Sequence, residues 1–442
     1  MKKYFGTDGI RGKALEKLNS NLAFKLGQAI AKSLKPMDVV IGEDTRQSSS
    51  LLAFGVAYGL ALAGVNVYMA GVVSTPMIAL YSKETHKIGV MITASHNPYT
   101  DNGIKVFKNG YKMLDDEELE LEKYIDEDEL LVSNSFGKIL FTDEVRKLYI
   151  DKVNSLNLPS FNQSIIYDSA NGANYKISNE IMSHYAKNSL QIGNTPDGFN
   201  INLNVGSTYI DTISLKVKEH HAQIGLSYDG DGDRLLVVDH SGKLFDGDLI
   251  IYIIAKYLKK KGQLKKDTVV LTRMSNLGVI NALKGLGIKV ILTDVGDKYV
   301  SDELVKNGYS LGGENSGHLI LNDYLPSGDG LFASLFLLKV LEEMNETLES
   351  ATKEIYMYPQ VLHNIRNVDK NVLNHPTIIN LINNIKEKLG DDSKFFVRPS
   401  GTEDLIRVTI SHRDETVLKH YLSVVIDEIK RLGEIKKWID TH

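Results

Sequence analysis

Three stretches of this chain repeat one layout: an apolar, β-branched strand, a polar loop, a helical segment, and a second strand or turn. The first runs from DVVIGEDTR at 38–46, through a helix expected from about Ser48 to Gly64, to VNVYMAG at 65–71. The second starts with SIIYDSANG at 164–172, continues as helix through Ile177 to Lys187, and ends at the turn TPDG, 195–198. The third reads TVVLTRMSN at 268–276, then Leu277 to Leu286, then IKVILTD at 288–294. Strand–helix–strand alternation builds α/β layers with mainly parallel pairing, and three copies imply three related domains. From Tyr358 the pattern changes to strand, helix (Ile378 to Leu389), strand (Leu405 to Ile410) and helix (Glu415 to Leu432), a smaller α+β domain. The expected division is therefore 1–150, 151–247, 248–358 and 359–442. In parallel sheets, ligands gather beyond the carboxyl ends of the strands. The polar loops Asp44-Thr45-Arg46, Asp168 to Gly172, Thr272-Arg273 and TASHNP (93–98) all follow strands, so a site assembled from several domains is expected.

Composition removes several classes of function. A net charge of −5 argues against a nucleic-acid binder, which carries a basic face. The absence of cysteine rules out disulfides, thiolate metal sites and thiol catalysis. MKKYFGTDGIRG at the start has no apolar stretch behind its lysines, unlike a signal peptide. Leu51 to Val73 is apolar apart from Asn66, but its glycines and the change of pattern after Gly64 read as a buried helix followed by a strand. A cytoplasmic protein with no membrane or nucleic-acid partner is expected.

YDGDGDR at 228–234 carries the strongest chemical signal. Asp229, Asp231 and Asp233 alternate with Gly230 and Gly232, whose backbone freedom lets the segment coil and aim three carboxylates at one point. Such a trio suits Mg²⁺, which takes oxygen ligands and leaves places for water or a phosphate oxygen. An acidic turn is the plain alternative. A calcium EF-hand fails, since its sixth position would be Arg234 and its twelfth His240.

Four other motifs belong with it. In ITASHNPYTDNGIK (92–105), Ser95 and His96 are sequence neighbours whose side chains should diverge, and no G-x-S-x-G elbow is present, so acyl transfer is disfavoured. A phosphorylated Ser95 fits better, its phosphate completing the shell of a metal held by the aspartates. Lys105 stands ten positions on, able to neutralise charge or move a proton. RPSGTEDLIRV (398–408) offers Arg398, Ser400, Gly401 and Thr402 as a phosphate cradle, with Arg407 on the following strand. GGENSGH (312–318) places Glu314, Ser316 and His318 alternately along what reads as an extended segment, suited to the hydroxyls or amine of a sugar, although taken by itself the motif reads first as a glycine-rich loop with a surface histidine. FGTDGIRG (5–12) sets Arg11 between glycines, where it can reach a phosphate. Neither G-x-G-x-x-G nor G-x-x-x-x-G-K-[ST] occurs, so phosphate chemistry here proceeds without a nucleotide signature.

FGTDGIRG, TASHNP, DGDGDR, GENSGH and RPSGTE, in this order over the whole chain, resemble the α-D-phosphohexomutase superfamily, nearest to its glucosamine-phosphate branch. The resemblance implies four domains, three α/β with mixed, mainly parallel sheets and one C-terminal α+β, around a central cleft. It implies Ser95 as the phosphorylated residue, and Asp229, Asp231 and Asp233 as Mg²⁺ ligands together with that phosphate. Lys105, Arg11 and Arg234 would then support phosphoryl and proton transfer, with His318 a second proton acceptor. Glu314, Ser316 and His318 would hold the sugar, and Arg398, Ser400, Gly401, Thr402 and Arg407 the phosphate not being transferred. The implied reaction interconverts glucosamine 6-phosphate and glucosamine 1-phosphate through glucosamine 1,6-bisphosphate, in the supply of UDP-N-acetylglucosamine for cell-wall synthesis. A small hexosamine phosphate is the implied partner, and a homodimer the implied assembly. The rival readings are a phosphomannomutase or phosphoglucomutase, a Mg²⁺-dependent phosphatase, and a non-catalytic sugar-phosphate binder. Two residues depart from the branch pattern: Asp404 where proline is usual, and Lys298 where arginine is usual, which exchanges a fork of donors for a point charge.

Overall fold

The computed structural model describes residues 2–6, 8–390, 393–399 and 405–439. The chain forms two compact units, Met1–Met274 with Gly287–Lys353, and Ser275–Leu286 with Glu354–His442.

The larger unit holds three sheets, each mixed. In the first, Asp38–Glu43 lies between Asn66–Val72 and Ile88–Ile92, both parallel to it. Asp101–Lys108 then returns antiparallel to Ile88–Ile92, and Gly9–Lys13 pairs antiparallel with it in turn. The second sheet sets Ile165–Asp168 between the parallel strands Ser189–Ile192 and Ile224–Tyr228, and Leu235–Asp239 returns antiparallel. The third sets Thr268–Thr272 between the parallel strands Lys289–Thr293 and Leu311–Gly313, and Leu319–Leu321 returns antiparallel. One rule thus recurs three times: the third parallel strand turns back on itself, and the loop at its carboxyl end is a hairpin connection. Those loops are TASHNP, DGDGDR and GENSGH. Ile88–Ile92 and Ile224–Tyr228 are buried along their whole length, which rigidly fixes the point where each loop starts.

The apolar run after Leu51 divides as its glycines suggest, into the helix Ser49–Leu62 and the strand Asn66–Val72. Gly27 of the helix Ser20–Leu34 and Gly59 meet face to face: a Cβ at Gly27 would land on the Val56 carbonyl oxygen, and one at Gly59 on that of Phe24. Leu52, Val56 and Leu60 are buried at this crossing, so one face of the helix is core, while Leu51, Phe54 and Tyr58 on the same helix stay exposed. No helix among the described residues is long and apolar enough to cross a membrane.

In the smaller unit, Gln360–Arg366 and Ser393–Pro399 flank Leu405–His412 in an antiparallel sheet, with the helices Pro376–Leu389 and Glu415–Ile439. Ser393–Pro399 was not expected as a strand. It ends in proline and buries only Phe395 and its neighbour Lys394 deeply, so it lacks the alternation that marks Leu405–His412. Ile406, Val408 and Ile410 face the core, as the alternation predicts.

Gly59→Val should force the two crossing helices apart and cost about 3 kcal/mol, as overpacking of a close contact does. Urea denaturation monitored by far-UV circular dichroism measures it.

Candidate active site

Ser95 is 2% exposed and sits at φ 52°, in the left-handed region that a non-glycine residue occupies only when its surroundings hold it there. Arg46 provides that hold. Its guanidinium donates to the carbonyl oxygens of Ser95 (2.8 Å), Asn97 (2.9 Å), Pro98 and Asp101 (3.1 Å). Asp44 accepts from Arg46 Nε at 2.8 Å and from the hydroxyls of Thr93 and Ser49 at 2.7 Å each. Asn202 Nδ2, from the second domain, donates to Ser95 O at 2.9 Å. The buried Asp44–Arg46 pair is therefore a template for the serine loop, and the carbonyls of Ser95, Asn97, Pro98 and Asp101 each find a donor in it.

The hydroxyl of Ser95 donates to Asp229 Oδ2 at 2.6 Å, across 134 residues of sequence. It also lies 3.3 Å from His96 Nδ1. The two neighbours meet instead of diverging, because the left-handed turn at Ser95 brings successive side chains to one side. Burial, then Arg234 and Arg11, push the His96 imidazole down to about 4, so it stays neutral.

Asp229, Asp231 and Asp233 are buried, with carboxylate oxygens within 4.8 Å of one another. Their loop is pinned on several sides. Gly232 N–H donates to Asp229 O at 3.1 Å, Thr75 N–H to Asp231 O at 3.0 Å, and Gly330 N–H to Gly232 O at 3.0 Å. Thr75 Oγ1 donates to Asp231 Oδ2 at 2.6 Å. Burial and then the charges of Asp233 and Asp231 push the Asp229 carboxyl far up. Asp231 Oδ1 and Asp233 Oδ1 are buried without a hydrogen-bond partner. An all-oxygen donor set with orphaned oxygens and crowded negative charge fits a small hard cation such as Mg²⁺.

Positive charge surrounds this cluster. Lys105 is 1% exposed and reaches Asp231 (2.8 Å), Asp8 (3.1 Å) and Asp233 (3.5 Å). Burial opposes its charge, but those three carboxylates outweigh it and hold its pKa well above the usual lysine value. Arg11 pairs with Asp8, and Arg234 N–H donates to Asp229 Oδ1 at 3.2 Å.

GENSGH is not extended. Gly317 N–H donates to Glu314 O and Glu314 N–H to His318 O, both at 3.0 Å, so residues 314–318 form a tight turn and the expected shared side is lost. The turn still reaches the aspartate loop. Arg234 and His318 form an antiparallel bridge, and Leu235 N–H donates to Gly317 O at 2.9 Å. His318 Nδ1 lies 3.6 Å from Asp233 Oδ1 and Nε2 lies 3.7 Å from Asp297 Oδ2. Burial works against its protonation, but Asp233 and Asp297 raise the imidazole to about 9. Glu314 Oε1 accepts from Gly296 N–H at 3.0 Å, and Ser316 Oγ is buried without a partner.

The structure thus brings Ser95, Lys105, Arg11, Arg234, His318, Glu314, Ser316 and the three aspartates into one region. In the smaller unit, Arg398 and Arg407 are cross-strand partners on adjacent strands, so Arg398 stands on a strand and not in a loop. Ser400, Gly401, Thr402 and Asp404 lie outside the described residues. Lys298 pairs with Asp115 at 2.7 Å and approaches Glu118 at 3.8 Å. Sequence reasoning missed Asp8, Thr75, Lys112 and Asp297, and saw Asp44 and Arg46 only as a polar loop. Lys112 bridges Asp8 and Asp297, 185 residues apart from it in the latter case, and no local pattern announces such a pair.

By binding only the folded chain, Mg²⁺ should add about 2.7 kcal/mol of stability at a hundredfold excess over the dissociation constant and so raise the thermal midpoint. Asp231→Asn should abolish that shift, read by differential scanning fluorimetry with and without the ion.

Comparison with known proteins gives one result throughout. Residues 2–131 match the family phosphoglucomutase/phosphomannomutase, alpha/beta/alpha domain I; residues 141–242 match its domain II, 246–358 its domain III and 362–428 its C-terminal domain. A phosphoglucosamine mutase of Streptococcus pneumoniae serotype 2 is 42% identical over 444 residues, covering 97% of this chain and 99% of the relative. One of Lactococcus lactis subsp. cremoris is 40% identical over 448 residues with the same coverage. The crystal structure of a phosphoglucomutase/phosphomannomutase family protein from Burkholderia thailandensis superposes with a TM-score of 0.80 at 20% identity, covering 98% of this chain and 97% of that one. An N-acetylphosphoglucosamine mutase of Aspergillus fumigatus, solved with GlcNAc-6P and magnesium, gives 0.70 at 16% identity, with 98% and 96% covered.

Proposed function

The chain belongs to the phosphoglucomutase/phosphomannomutase family, and from that premise we propose that it interconverts glucosamine 6-phosphate and glucosamine 1-phosphate. It is an isomerase that moves a phosphoryl group within one sugar. The observation that carries the assignment of roles is the 2.6 Å bond from Ser95 Oγ to Asp229 in the midst of the acidic cluster.

In this reading, Ser95 carries the phosphoryl group at the start of the cycle. O1 of glucosamine 6-phosphate attacks the phosphorus, the P–O1 bond forms and the bond to Ser95 Oγ breaks. The proton released by O1–H ends on the serine oxygen. Lys105 and His318, both held protonated by the neighbouring carboxylates, are the candidates to relay it, each giving a proton to the leaving serine oxygen as it takes up the one from O1–H. The 1,6-bisphosphate then turns over, Ser95 Oγ attacks the phosphorus on O6, the P–O6 bond breaks as the serine proton passes to O6, and glucosamine 1-phosphate leaves. Asp229, Asp231 and Asp233 would hold Mg²⁺, which supplies Lewis-acid neutralisation of charge on the phosphoryl oxygens. Lys105, Arg11 and Arg234 add fixed positive charge around the same oxygens, which is most of what phosphoryl transfer demands. We assign Glu314, Ser316 and His318 to the sugar, and Arg398, Ser400, Gly401, Thr402 and Arg407 to the phosphate that is not moving. A cytoplasmic homodimer feeding amino-sugar nucleotide synthesis completes the proposal.

Ser95→Ala should abolish isomerisation in a coupled assay, and intact-mass analysis should find one phosphate on the wild type and none on the variant. Mutase activity retained by the alanine variant would end this reading. Turnover by the wild type should be greater on glucosamine 6-phosphate than on glucose or mannose 6-phosphate.

Arg46→Lys should preserve the charge but lose the fork of donors that shapes the serine loop. We expect kcat to fall about 10²-fold, the order that a 1 Å misplacement costs, with KM nearly unchanged. Steady-state kinetics on the fully phosphorylated variant would measure it.

A further inference from the structure

We infer that Asp297 is the residue that selects the amino sugar, by receiving the ammonium group at C2; the inference rests on the functional reading above. Glucosamine 6-phosphate differs from glucose 6-phosphate only in carrying that cationic donor in place of a neutral hydroxyl. Selectivity therefore needs a carboxylate at the sugar with acceptor sites left for that donor.

The carboxylates of the site divide by what holds them. Asp229, Asp231 and Asp233 converge on the cation site. Asp8 is shared among Arg11, Lys105 and Lys112. Glu314 accepts from Gly296 N–H and is buried at 8% exposure. Asp297, although paired with Lys112 and facing His318, is the more open of the two. It opens the helix Asp297–Asn307, its side chain is 18% exposed, and it lines a cavity of about 30 Å³ together with Asp233, His318, Lys112 and Ser301. Its Oδ1 accepts from Lys298 N–H at 2.8 Å and its Oδ2 accepts from Lys112.

A carboxylate offers about four lone-pair sites, so Asp297 keeps roughly two for an incoming donor. Lys112 shows that an alkylammonium reaches this carboxylate with hydrogen-bonding geometry. His318, on the turn assigned to the sugar, stands 3.7 Å away, which puts the free oxygen sites beside the place where a hexose would lie. A charge-assisted bond to an ammonium is about twice as strong as one to a hydroxyl, and shielding from water increases the difference.

The test compares kcat/KM on glucosamine 6-phosphate and glucose 6-phosphate for the wild type, Asp297→Asn, Asp297→Glu and Glu314→Gln, each phosphorylated on Ser95 to the same extent. Asp297→Asn should lose about 10²-fold on the amino sugar, and its loss on glucose 6-phosphate should be smaller by at least about tenfold. Asp297→Glu, which keeps the charge, should retain more of the preference than the asparagine variant. Equal losses on both substrates in Asp297→Asn, or a preference that survives there and disappears in Glu314→Gln, would overturn the inference. A wild type with no preference for the amino sugar would instead sink the functional reading, and this inference with it.

Discussion

Three carboxylates buried within 4.8 Å of one another are a cost that the rest of the active-site region is organised to meet. Desolvation alone disfavours each charge, and mutual repulsion adds to it, which is why the Asp229 carboxyl is pushed far above its ordinary range. Several donors around the cluster answer that charge. Lys105 takes Asp231 and approaches Asp233, Thr75 donates to Asp231, and Ser95 donates to Asp229. Two oxygens stay orphaned, and they are where a divalent ion gains most. A phosphoryl group arriving at Ser95 would meet this concentration of cation and ammonium without any large rearrangement of the protein.

The geometry that assembles these groups comes from a single topological habit. In each of the three sheets of the larger unit, the third parallel strand reverses into an antiparallel partner, and the reversal carries a chemical motif. The serine loop, the aspartate loop and the GENSGH turn are thus equivalent positions of one repeated plan. The smaller unit shows the same device in simpler form, with Ser393–Pro399 and Leu405–His412 flanking the segment assigned to phosphate. Duplicating a strand–helix plan and changing only the hairpin loops is an economical way to surround one substrate with different chemistry.

That plan was legible in the sequence because strand and helix periodicities are local. DVVIG, SIIYD and TVVLT announce strands, and Asp-Gly alternation announces a convergent carboxylate loop. What stayed hidden depends on contacts between distant segments. Arg46 reads as a polar loop residue until four carbonyl oxygens from 95–101 are seen around it. Lys112 and Asp297 belong to ordinary-looking stretches and gain meaning only by meeting. GENSGH misled because alternation in sequence was read as extended backbone, whereas the Glu314–Gly317 turn curls it. The strand Ser393–Pro399 escaped notice for the opposite reason, since it lacks the alternation that strands of half-buried sheets show.

The clamp on the serine loop has a consequence for which changes the loop tolerates. One guanidinium gathers four carbonyl oxygens from positions 95–101, and its partner Asp44 is wholly enclosed with it. The loop is therefore shaped from beneath, so substitutions on its outer surface leave the serine geometry standing, whereas a change at either enclosed partner undoes it at once.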